Sequence, residues 1–473
     1  MPKRYRNKIG QKWKSTREAV EVRNPFGGRP VAEVTFASAE QCEDAIAQAQ
    51  AAFETTRKMS AHARSQVCAA VAAGIAKRAD ELSELVTAEA GKPIQYSRGE
   101  VERATQTFLL ASEEAKRMGG EVIPVDISER TEGYLALTSR FPRGPLAAVT
   151  PFNFPLNLVA HKLAPALATG TPCIIKPSRQ APLSALVLAE ICEDAGWPGG
   201  ALSVLYCEDD VAEKLVTDPR IPTFSFTGSD RVGWMLKEKA PRKHVVLELG
   251  GDAAAIVAED ADLAWAVPRC AIGAFAYAGQ ICISVQRILV HESRYEEFLS
   301  RFLDQAARLP VGDPKDPATV VGPVIEEAAA NRIEAAVAGA IEAGAKRLLG
   351  GRREGNLLWP TVLTDVPPES AFAKSEIFGP VVSVAPYKTD EEALSRVNAS
   401  RFGLQAGVFT ANLQRAFRAF GGLEVGGLIV NDYPMFRTDN YPYGGVKDSG
   451  MGREGVRPAM DELTDVKTLV IRT

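Results

Sequence analysis

Two cysteines lie where a thiol could act as a nucleophile. Cys282 ends a Gly-Gln-Ile-Cys turn that begins at Gly279, just before a predicted strand, and Cys270 lies in the preceding predicted helix. A thiol in a turn beside a strand can be exposed and reactive, whereas most cysteines are inert core residues. Spacing alone does not separate the two cysteines.

Two polar residues lie in apolar surroundings. Glu248 falls in the apolar run 245–249, where burial would raise its pKa and suit it to general-base chemistry. It could equally be a strand-end glutamate exposed beside two glycines. Asn153 lies between two prolines and two phenylalanines in residues 151–155. Its amide could donate a hydrogen bond to an oxyanion, or it could be an Asx-turn residue.

A further segment could bind phosphate. The predicted strand 223–226 leads through Thr227, Gly228 and Ser229 into a predicted helix, and backbone N–H groups at a helix N-terminus can bind phosphate. A plain strand-to-helix turn has the same pattern, and the G-x-G-x-x-G fingerprint is absent. The four histidines are far apart and none has zinc-ligand spacing, so no metal site is predicted.

Alternating helical and strand patterns must position these residues. Predicted helices cover residues 38–58, with Ser38 as N-cap, and 64–91, 100–117, 156–170, 184–195, 211–216, 232–238, 261–278, 294–307 and 328–343. Predicted strands cover 146–150, 172–175, 202–206, 223–226, 284–291 and 468–472. This alternation predicts crossover units on a parallel sheet, an α/β fold.

Composition excludes several classes of protein. The 473 residues are 46% hydrophobic and 24% charged, which is typical of a globular chain of two or three domains. A net charge of −4 does not favour a nucleic-acid or membrane partner. Seven scattered cysteines without a C-x-x-C favour a reducing, cytoplasmic location. The basic N-terminus is expected to be a solvated arm leading into the first strand; a transit peptide is the alternative.

Nine short motifs follow one another along nearly the whole chain: Asn24-Pro25-Phe26, residues 151–155, Lys176-Pro177-Ser178, residues 226–229, 248–251 and 279–282, Gly322-Pro323, residues 376–380, and residues 442–445 with Ser449-Gly450. Their order and spacing resemble the aldehyde dehydrogenase superfamily. Residues 152–158 with His161-Lys162, and Asn431-Asp432 with Phe436-Arg437, look like its subgroup of lactaldehyde, non-phosphorylating glyceraldehyde-3-phosphate and phosphonoacetaldehyde dehydrogenases.

The resemblance implies oxidation of an aldehyde to a carboxylic acid with NAD(P)+. Cys282 would form a thiohemiacetal and then a thioester, with the Asn153 amide and the Cys282 backbone N–H as oxyanion hole, and Glu248 would activate water. Lys176 would hold the adenosine ribose, Glu376 the nicotinamide ribose, and Phe378 would pack on the nicotinamide. The implied cofactor residues are Thr150, Pro151, Phe152, Lys176, Ser178, Gly228, Ser229, Gly233, Leu249, Glu376 and Phe378.

The choice between NAD and NADP depends on Ser178. A carboxylate there would repel a 2′-phosphate, whereas serine is neutral and leaves space for the phosphate to pair with Lys176 or Arg179. NADP is therefore expected to be accepted and even preferred. Ser178 could also simply cap the following helix. The acidic segment 208–210, where the family usually has glycines, would oppose a phosphate or stay clear of it.

The substrate is expected to be a short polar or anionic aldehyde. Asn157 and His161 share one helical face, and Arg103 and Arg437 could contact an anionic group with His161; each could also be structural. Ile281 argues against an anion because it cannot pair with one. The alternatives are a coenzyme-A-acylating semialdehyde dehydrogenase, which commonly lacks the glutamate present here as Glu248, and a catalytically silent structural or binding protein.

The expected architecture has three parts. A variant Rossmann cofactor domain covers residues 1–123 and 144–250, and a catalytic domain covers 251–443. A small β oligomerisation arm contains residues 124–143 and 444–473. The C-terminal strand 468–472 would need a partner edge, which another subunit can supply. We therefore expect a homodimer or homotetramer.

Overall fold

The computed structural model describes residues 3–473. Met1 and Pro2, the start of the basic N-terminal segment, lie outside the described residues. No helix in the described part of the chain has the length and apolar character that a membrane span requires.

The helices follow the predicted alternation up to residue 343, and three further helices, at 390–398, 413–422 and 456–462, were not predicted. The predicted helix 64–91 is two helices, because Arg78 leaves the helical conformation and its guanidinium binds Glu81 and Glu190. Ser38 caps the first helix as predicted. The helices are α1 Ala39–Thr56, α2 Ala61–Lys77, α3 Ala79–Ala90, α4 Ile94–Ala115, α5 Asn157–Thr169, α6 Leu183–Asp194, α7 Asp209–Thr217, α8 Asp230–Lys239, α9 Leu263–Phe275, α10 Tyr295–Ala307, α11 Glu327–Glu342, α12 Asp390–Asn398, α13 Leu413–Gly422 and α14 Val456–Glu462.

The strands between residues 146 and 291 are largely buried, whereas those at 3–5, 122–123, 346–349 and 464–472 are largely exposed. In chain order, the strands are β1 Lys3–Tyr5, β2 Asn7–Ile9, β3 Lys12–Lys14, β4 Ala19–Arg23, β5 Pro30–Thr35, β6 Val122–Ile123, β7 Tyr134–Pro142, β8 Leu146–Val149, β9 Cys173–Lys176, β10 Leu202–Val204, β11 Thr223–Thr227, β12 His244–Glu248, β13 Ala254–Val257, β14 Arg287–His291, β15 Lys346–Leu349, β16 Arg353–Glu354, β17 Leu357–Leu358, β18 Thr361–Thr364, β19 Val381–Tyr387, β20 Phe402–Gly403, β21 Gln405–Phe409, β22 Gly427–Val430, β23 Val446–Lys447, β24 Gly450–Met451 and β25 Thr464–Arg472.

The N-terminal segment is not the solvated arm expected from sequence. Strands β2 and β3 form an antiparallel hairpin at the edge of a large sheet. Asn7 can be buried because its side-chain amide donates to Thr35 O and accepts from Tyr206 N. Lys8 can be buried because it pairs with Glu193 at 2.7 Å.

Two large, mainly parallel sheets form the body of the molecule. The first has the order β24-β12-β11-β8-β9-β10-β2-β3, and β12 to β10 run parallel. The second has the order β15-β18-β19-β14-β13-β21-β22, parallel from β18 to β22. The chain is thus an α/β protein. The carboxyl ends of β8, β11 and β12 meet at one edge, where ligands of such sheets bind.

A small third sheet corrects one expectation. The C-terminal strand β25 is longer than predicted and already pairs with β7 of its own chain, from Thr464↔Pro142 to Arg472↔Tyr134. The expectation that another subunit supplies the partner edge of this strand was wrong for one of its two edges, because β7 of the same chain pairs with it. In the order β25-β7-β6, the outer edge of β25 stays open. The three-part division of the chain stays a prediction.

A strained turn positions the segment before Cys282. The predicted helix 261–278 ends at Phe275, because Tyr277, Ala278 and Gly279 take left-handed φ values of 51°, 55° and 67°. Two non-glycine residues in that region store strain, which is typical of functional sites. The predicted strand 284–291 accordingly begins later, at Arg287.

Candidate active site

One cavity of about 940 Å³ opens between the two large sheets. It brings together most of the predicted site residues: Arg103, Pro151, Phe152, Asn153, Asn157, His161, Gly228, Ser229, Glu248, Leu249, Cys282, Glu376, Phe378 and Arg437. Thr150, Lys176, Ser178 and Gly233 do not line it. Thr150 follows β8, Lys176 ends β9, and Gly233 lies in α8.

Cys282 is the one thiol that reaches the cavity. Of the seven cysteines, all within the described residues, only Cys282 is not fully buried. Cys270 is completely buried in the core of the second sheet. The Cys282 Sγ lies 3.3 Å from the Tyr443 hydroxyl oxygen. Burial raises the pKa of the Cys282 thiol to about 12.

Asn153 lies against the segment that carries Cys282. Its side-chain amide donates to the backbone oxygen of Gln280 at 2.9 Å, while its Oδ1 is buried without a partner. This bond leaves the second amide N–H of Asn153 available at the cavity. The amide therefore joins the loop after β8 to the nucleophile segment.

Glu248 ends β12 and is 3% exposed. Within the described residues, neither of its carboxylate oxygens has a hydrogen-bond partner. Burial, together with the nearby carboxylate of Glu454, raises the pKa of Glu248 well above its usual range. Such a group can take up a proton near neutral pH, which is what a general base requires.

A buried ionic cluster around Glu454 contributes His161 and Arg437 to the lining of the cavity. The Glu454 carboxylate lies 2.6 Å from Lys162 Nζ, 2.9 Å from an Arg437 nitrogen and 3.2 Å from His161 Nδ1. Although burial opposes ionisation, these three groups hold the pKa of Glu454 well below its usual range. Glu248 and Glu454 are therefore neighbouring carboxyl groups whose pKa values are driven apart.

The second carboxylate of this cluster is Asp439. It lies 2.9 Å from His161 Nε2, 3.0 Å from Arg103 and 3.4 Å from Arg437 Nε. Asn157 Nδ2 lies 3.0 Å from His161 Nε2. The two side chains therefore lie on one face of α5, as predicted. Arg103 Nε and Arg437 Nε are both buried without a hydrogen-bond partner.

The opposite end of the cavity has the features of a phosphate and ribose site. Ser229 precedes α8, whose first turn faces the cavity through residues 228–231. A Cβ on Gly233 would lie 2.4 Å from Leu249 Cδ2, so the glycine allows α8 to approach β12 closely. Glu376 accepts from the Gly251 N–H at 3.1 Å, and burial raises the pKa of Glu376 to about 8.

Phe378 holds an unusual conformation beside this end. Its φ is 49°, a left-handed value that costs a phenylalanine energy. The ring meets Phe152 edge to face, with the ring centroids 6.0 Å apart. Phe378 therefore lines the cavity from a strained backbone position.

The acidic segment 208–210 does not stay clear of the predicted adenosine site. Asp209 pairs with Lys176 at 3.1 Å, and Glu208 pairs with Arg179 at 2.7 Å. The two cations that could hold a 2′-phosphate thus already face carboxylates. Ser178 bonds Gln180 rather than capping the next helix, which begins at Leu183.

The residues at this end fit a dinucleotide. The Thr150 hydroxyl is buried without a partner in the described structure. A Cβ on Gly250 would lie 2.3 Å from Glu376 Oε2, so any other residue at position 250 would displace the Glu376 carboxylate. The volume is at the upper end for a ligand cavity, enough for a large cofactor and a small substrate.

Sequence reasoning missed three important residues, Glu454, Asp439 and Tyr443. Glu454 stands between Gly452 and Gly455 in a glycine-rich run, and a carboxylate there needs a partner if it is buried. That signal could have marked it. Asp439 carries no local pattern that distinguishes it from a surface residue, and Tyr443 lies in the motif 442–445, which by itself assigns no role to the phenol.

Comparisons with known proteins agree with this geometry. The sequence model of the Aldehyde dehydrogenase family matches residues 13–469. The chain is 43% identical over 470 residues to a 3-sulfolactaldehyde dehydrogenase of Priestia aryabhattai, with 99% of this chain and 98% of the relative covered.

Two solved structures are similar along almost their whole length. One is aldehyde dehydrogenase 21 from Physcomitrella patens in complex with the reaction product succinate, with a TM-score of 0.98, 43% identity, and 100% of this chain and 99% of that chain covered. The other is a glyceraldehyde-3-phosphate dehydrogenase from Methanocaldococcus jannaschii complexed with NADP, with a TM-score of 0.93, 39% identity, and 97% and 100% covered.

Proposed function

The chain belongs to the aldehyde dehydrogenase family, and from this premise we propose that it oxidises a short anionic aldehyde to the carboxylic acid through Cys282. The observation that carries the proposal is the cavity lined together by the Cys282 thiol, the buried Glu248 carboxyl group and the two arginines Arg103 and Arg437. Each group then has one role in the reaction.

Cys282, Asn153 and Glu248 supply the covalent chemistry. The Cys282 thiolate attacks the aldehyde carbon, and the oxyanion accepts hydrogen bonds from the Asn153 amide and the Cys282 backbone N–H. Loss of hydride from the thiohemiacetal carbon leaves a thioester. Glu248 then takes a proton from water, whose oxygen displaces the thiolate and releases the acid.

NAD or NADP fits the other end of the cavity. When bound, its nicotinamide supplies a hydride acceptor. Gly228 and Ser229 would face the pyrophosphate, Glu376 and Lys176 the two riboses, and Phe378 the nicotinamide. Thr150, Pro151 and Phe152 with Gly233 and Leu249 would form the surrounding wall. The relative complexed with NADP supports this assignment.

Charge in the site supports an anionic substrate. Arg103, Arg437 and Lys162 face only two ionised carboxylates, those of Asp439 and Glu454. The Arg103 Nε–H has no hydrogen-bond partner, and the Arg437 Nε–H has only the Asp439 carboxylate at 3.4 Å, too long for a good hydrogen bond, so each can donate to an anion. The succinate bound to one relative and the sulfolactaldehyde in the name of another are both anionic compounds.

Self-association and a cytoplasmic location complete the proposal. The open edge strand β25 exposes Val466, Leu469, Val470 and Ile471, and α13 exposes Leu413, Phe417 and Phe420. Apolar surface of this extent favours contact with a second copy, as a homodimer or homotetramer. Seven free cysteines favour a reducing compartment.

The substrate class is tested with a matched pair of aldehydes. We expect kcat/KM for 3-sulfolactaldehyde to exceed that for lactaldehyde, which lacks the sulfonate, by at least about tenfold. Arg437→Met should remove most of this preference, mainly through KM. Arg457→Met, a partly exposed arginine outside the cavity, is the control. A parent enzyme that prefers lactaldehyde, or an Arg437→Met variant with the full preference, would contradict the assignment.

A further inference from the structure

Tyr443 touches the proposed nucleophile, and the reaction described above gives it no role. Its hydroxyl oxygen lies 3.3 Å from Cys282 Sγ, and the residue is 3% exposed. Its backbone is fixed by two hydrogen bonds with Glu454, Tyr443 N to Glu454 O at 2.9 Å and Glu454 N to Tyr443 O at 2.7 Å. The phenol is therefore held against the sulfur.

A cation lies on the face of the Tyr443 ring. The Arg437 guanidinium carbon is 3.6 Å from the ring centroid, within the range of a cation–π contact. The same guanidinium is held by the Glu454 carboxylate at 2.9 Å. A positive charge on the ring face withdraws electron density from the phenol, which makes its O–H a stronger hydrogen-bond donor.

We propose that Tyr443 donates a hydrogen bond to the thiolate of Cys282 and thereby activates the nucleophile, with Arg437 strengthening the donor. The proposal rests on the proposed function, in which Cys282 is the nucleophile. The thiol proton leaves to water in the cavity, while Tyr443 keeps its own proton and directs it at the sulfur. Tyr443 is thus a catalytic residue through its contact with the reacting atom.

The other groups around the sulfur make this bond important. Burial raises the pKa of Cys282 most, and the hydrogen bond from Tyr443 is the largest influence that lowers it. The carboxyl groups of Glu376 and Glu248 raise it further, and only the charge of Arg437 assists the phenol. Without the phenol, the thiolate would face two carboxyl groups and a single cation.

The direction of the hydrogen bond between Tyr443 and Cys282 can be tested, because a donor and an acceptor phenol shift the pKa of Cys282 in opposite directions. If the phenol accepted a bond from the thiol instead, it would stabilise the protonated form. Tyr443→Phe would then lower the pKa of Cys282 and speed its reactions. A donor role predicts a higher pKa and slower reactions.

The experiment measures alkylation of Cys282 by iodoacetamide, followed by peptide mass spectrometry, without aldehyde or cofactor. We expect Tyr443→Phe to slow alkylation about tenfold at each pH between about 7 and 9.5, because only the thiolate reacts. Tyr441→Phe is the matched control, because the Tyr441 hydroxyl bonds the backbone oxygen of Phe436 at 3.2 Å and not the sulfur. An unchanged or faster rate in Tyr443→Phe would overturn the proposal.

Two further measurements keep the outcome unambiguous. Thermal unfolding shows whether Tyr443→Phe is folded; if it is not, Arg437→Met takes its place, and a rate equal to the parent's would overturn the proposal. Cys282→Ser separates this inference from the proposed function. An active Cys282→Ser enzyme would refute the nucleophile itself, whereas an inactive one with unchanged alkylation in Tyr443→Phe would refute only the role of Tyr443.

Discussion

Glu248 and Glu454 show how two identical side chains acquire different functions from their surroundings. Glu454 is ionised because Lys162, His161 and Arg437 surround it, and its charge then helps to keep Glu248 protonated. The arrangement gives the site a fixed anion that holds the arginine and a separate carboxyl group that can exchange a proton.

Replacing Glu248 by glutamine should separate the two halves of the reaction. Hydride loss precedes the step that needs the base, so rapid mixing should show an unchanged burst of reduced cofactor. Steady-state turnover should fall by about 100-fold. Loss of the burst with unchanged later turnover would assign Glu248 to an earlier step or to structure.

The raised pKa of Glu248 also predicts a pH dependence. The base acts only when ionised, and its folded-state pKa lies above the usual range. The rate of thioester hydrolysis should therefore rise with pH and fall as pH drops through the raised pKa. A hydrolysis rate that stays constant down to the ordinary pKa of a glutamate, about 4.3, would contradict this view.

Cofactor choice also depends on single residues. Asp209→Asn should raise the ratio of kcat/KM for NADP to that for NAD severalfold. Lys176 then has no carboxylate partner at this position and can pair with a 2′-phosphate. Ser178→Glu should lower the same ratio about tenfold. Asp210→Asn is the control, since its carboxylate bonds only the Val211 N–H. Equal ratios in all variants would show that this loop does not read the 2′-group.

At the scale of elements, the strained turn after α9 sets the position of the nucleophile. Gly279 has φ +67°, and a Cβ there would lie 2.2 Å from the backbone oxygen of Gly379. Neither backbone segment can move without displacing a site residue, because Gly279 lies three residues before Cys282 and Gly379 directly follows Phe378.

Gly279→Ala should therefore destabilise the protein by about 2 kcal/mol or more and strongly reduce activity. Gly339→Ala in α11 is the control, because its Cβ would meet nothing within 4 Å and alanine is the better helix former. Thermal unfolding and turnover measure both effects. A Gly279→Ala variant as stable and active as the parent would show that the turn is not constrained.

Sequence periodicity predicted the central strands β8, β9, β10 and β11 of the first sheet and the helices between them, because short runs of buried strand-forming residues are local signals. It predicted no strand in the N-terminal hairpin β2–β3. It missed the break at Arg78 and the turn at Tyr277, since both depend on partners distant in sequence. Only part of the ionic cluster around Glu454 could be predicted from the sequence. Asn157 and His161 share one helical face, but Asp439 and Glu454 approach His161 only through tertiary folding.

For the whole molecule, the open edge of β25 is the surface that we propose for self-association. Its apolar side chains are exposed in the single chain, so a charge there should not disturb the monomer. Leu469→Lys should lower the sedimentation coefficient toward that of a monomer while secondary structure persists. Ile341→Lys, an exposed residue of α11, is the control. An unchanged assembly in Leu469→Lys would place the contact elsewhere.

In the proposed reaction the substrate becomes a thioester on Cys282, and this species can be trapped. Glu248→Gln enzyme, mixed with aldehyde and cofactor and quenched in acid, should carry the acyl mass on the peptide that contains Cys282. The same treatment of a Cys282→Ser, Glu248→Gln double variant should leave no adduct. An adduct on Cys270, or turnover by Cys282→Ser without any adduct, would show that Cys282 is not the nucleophile.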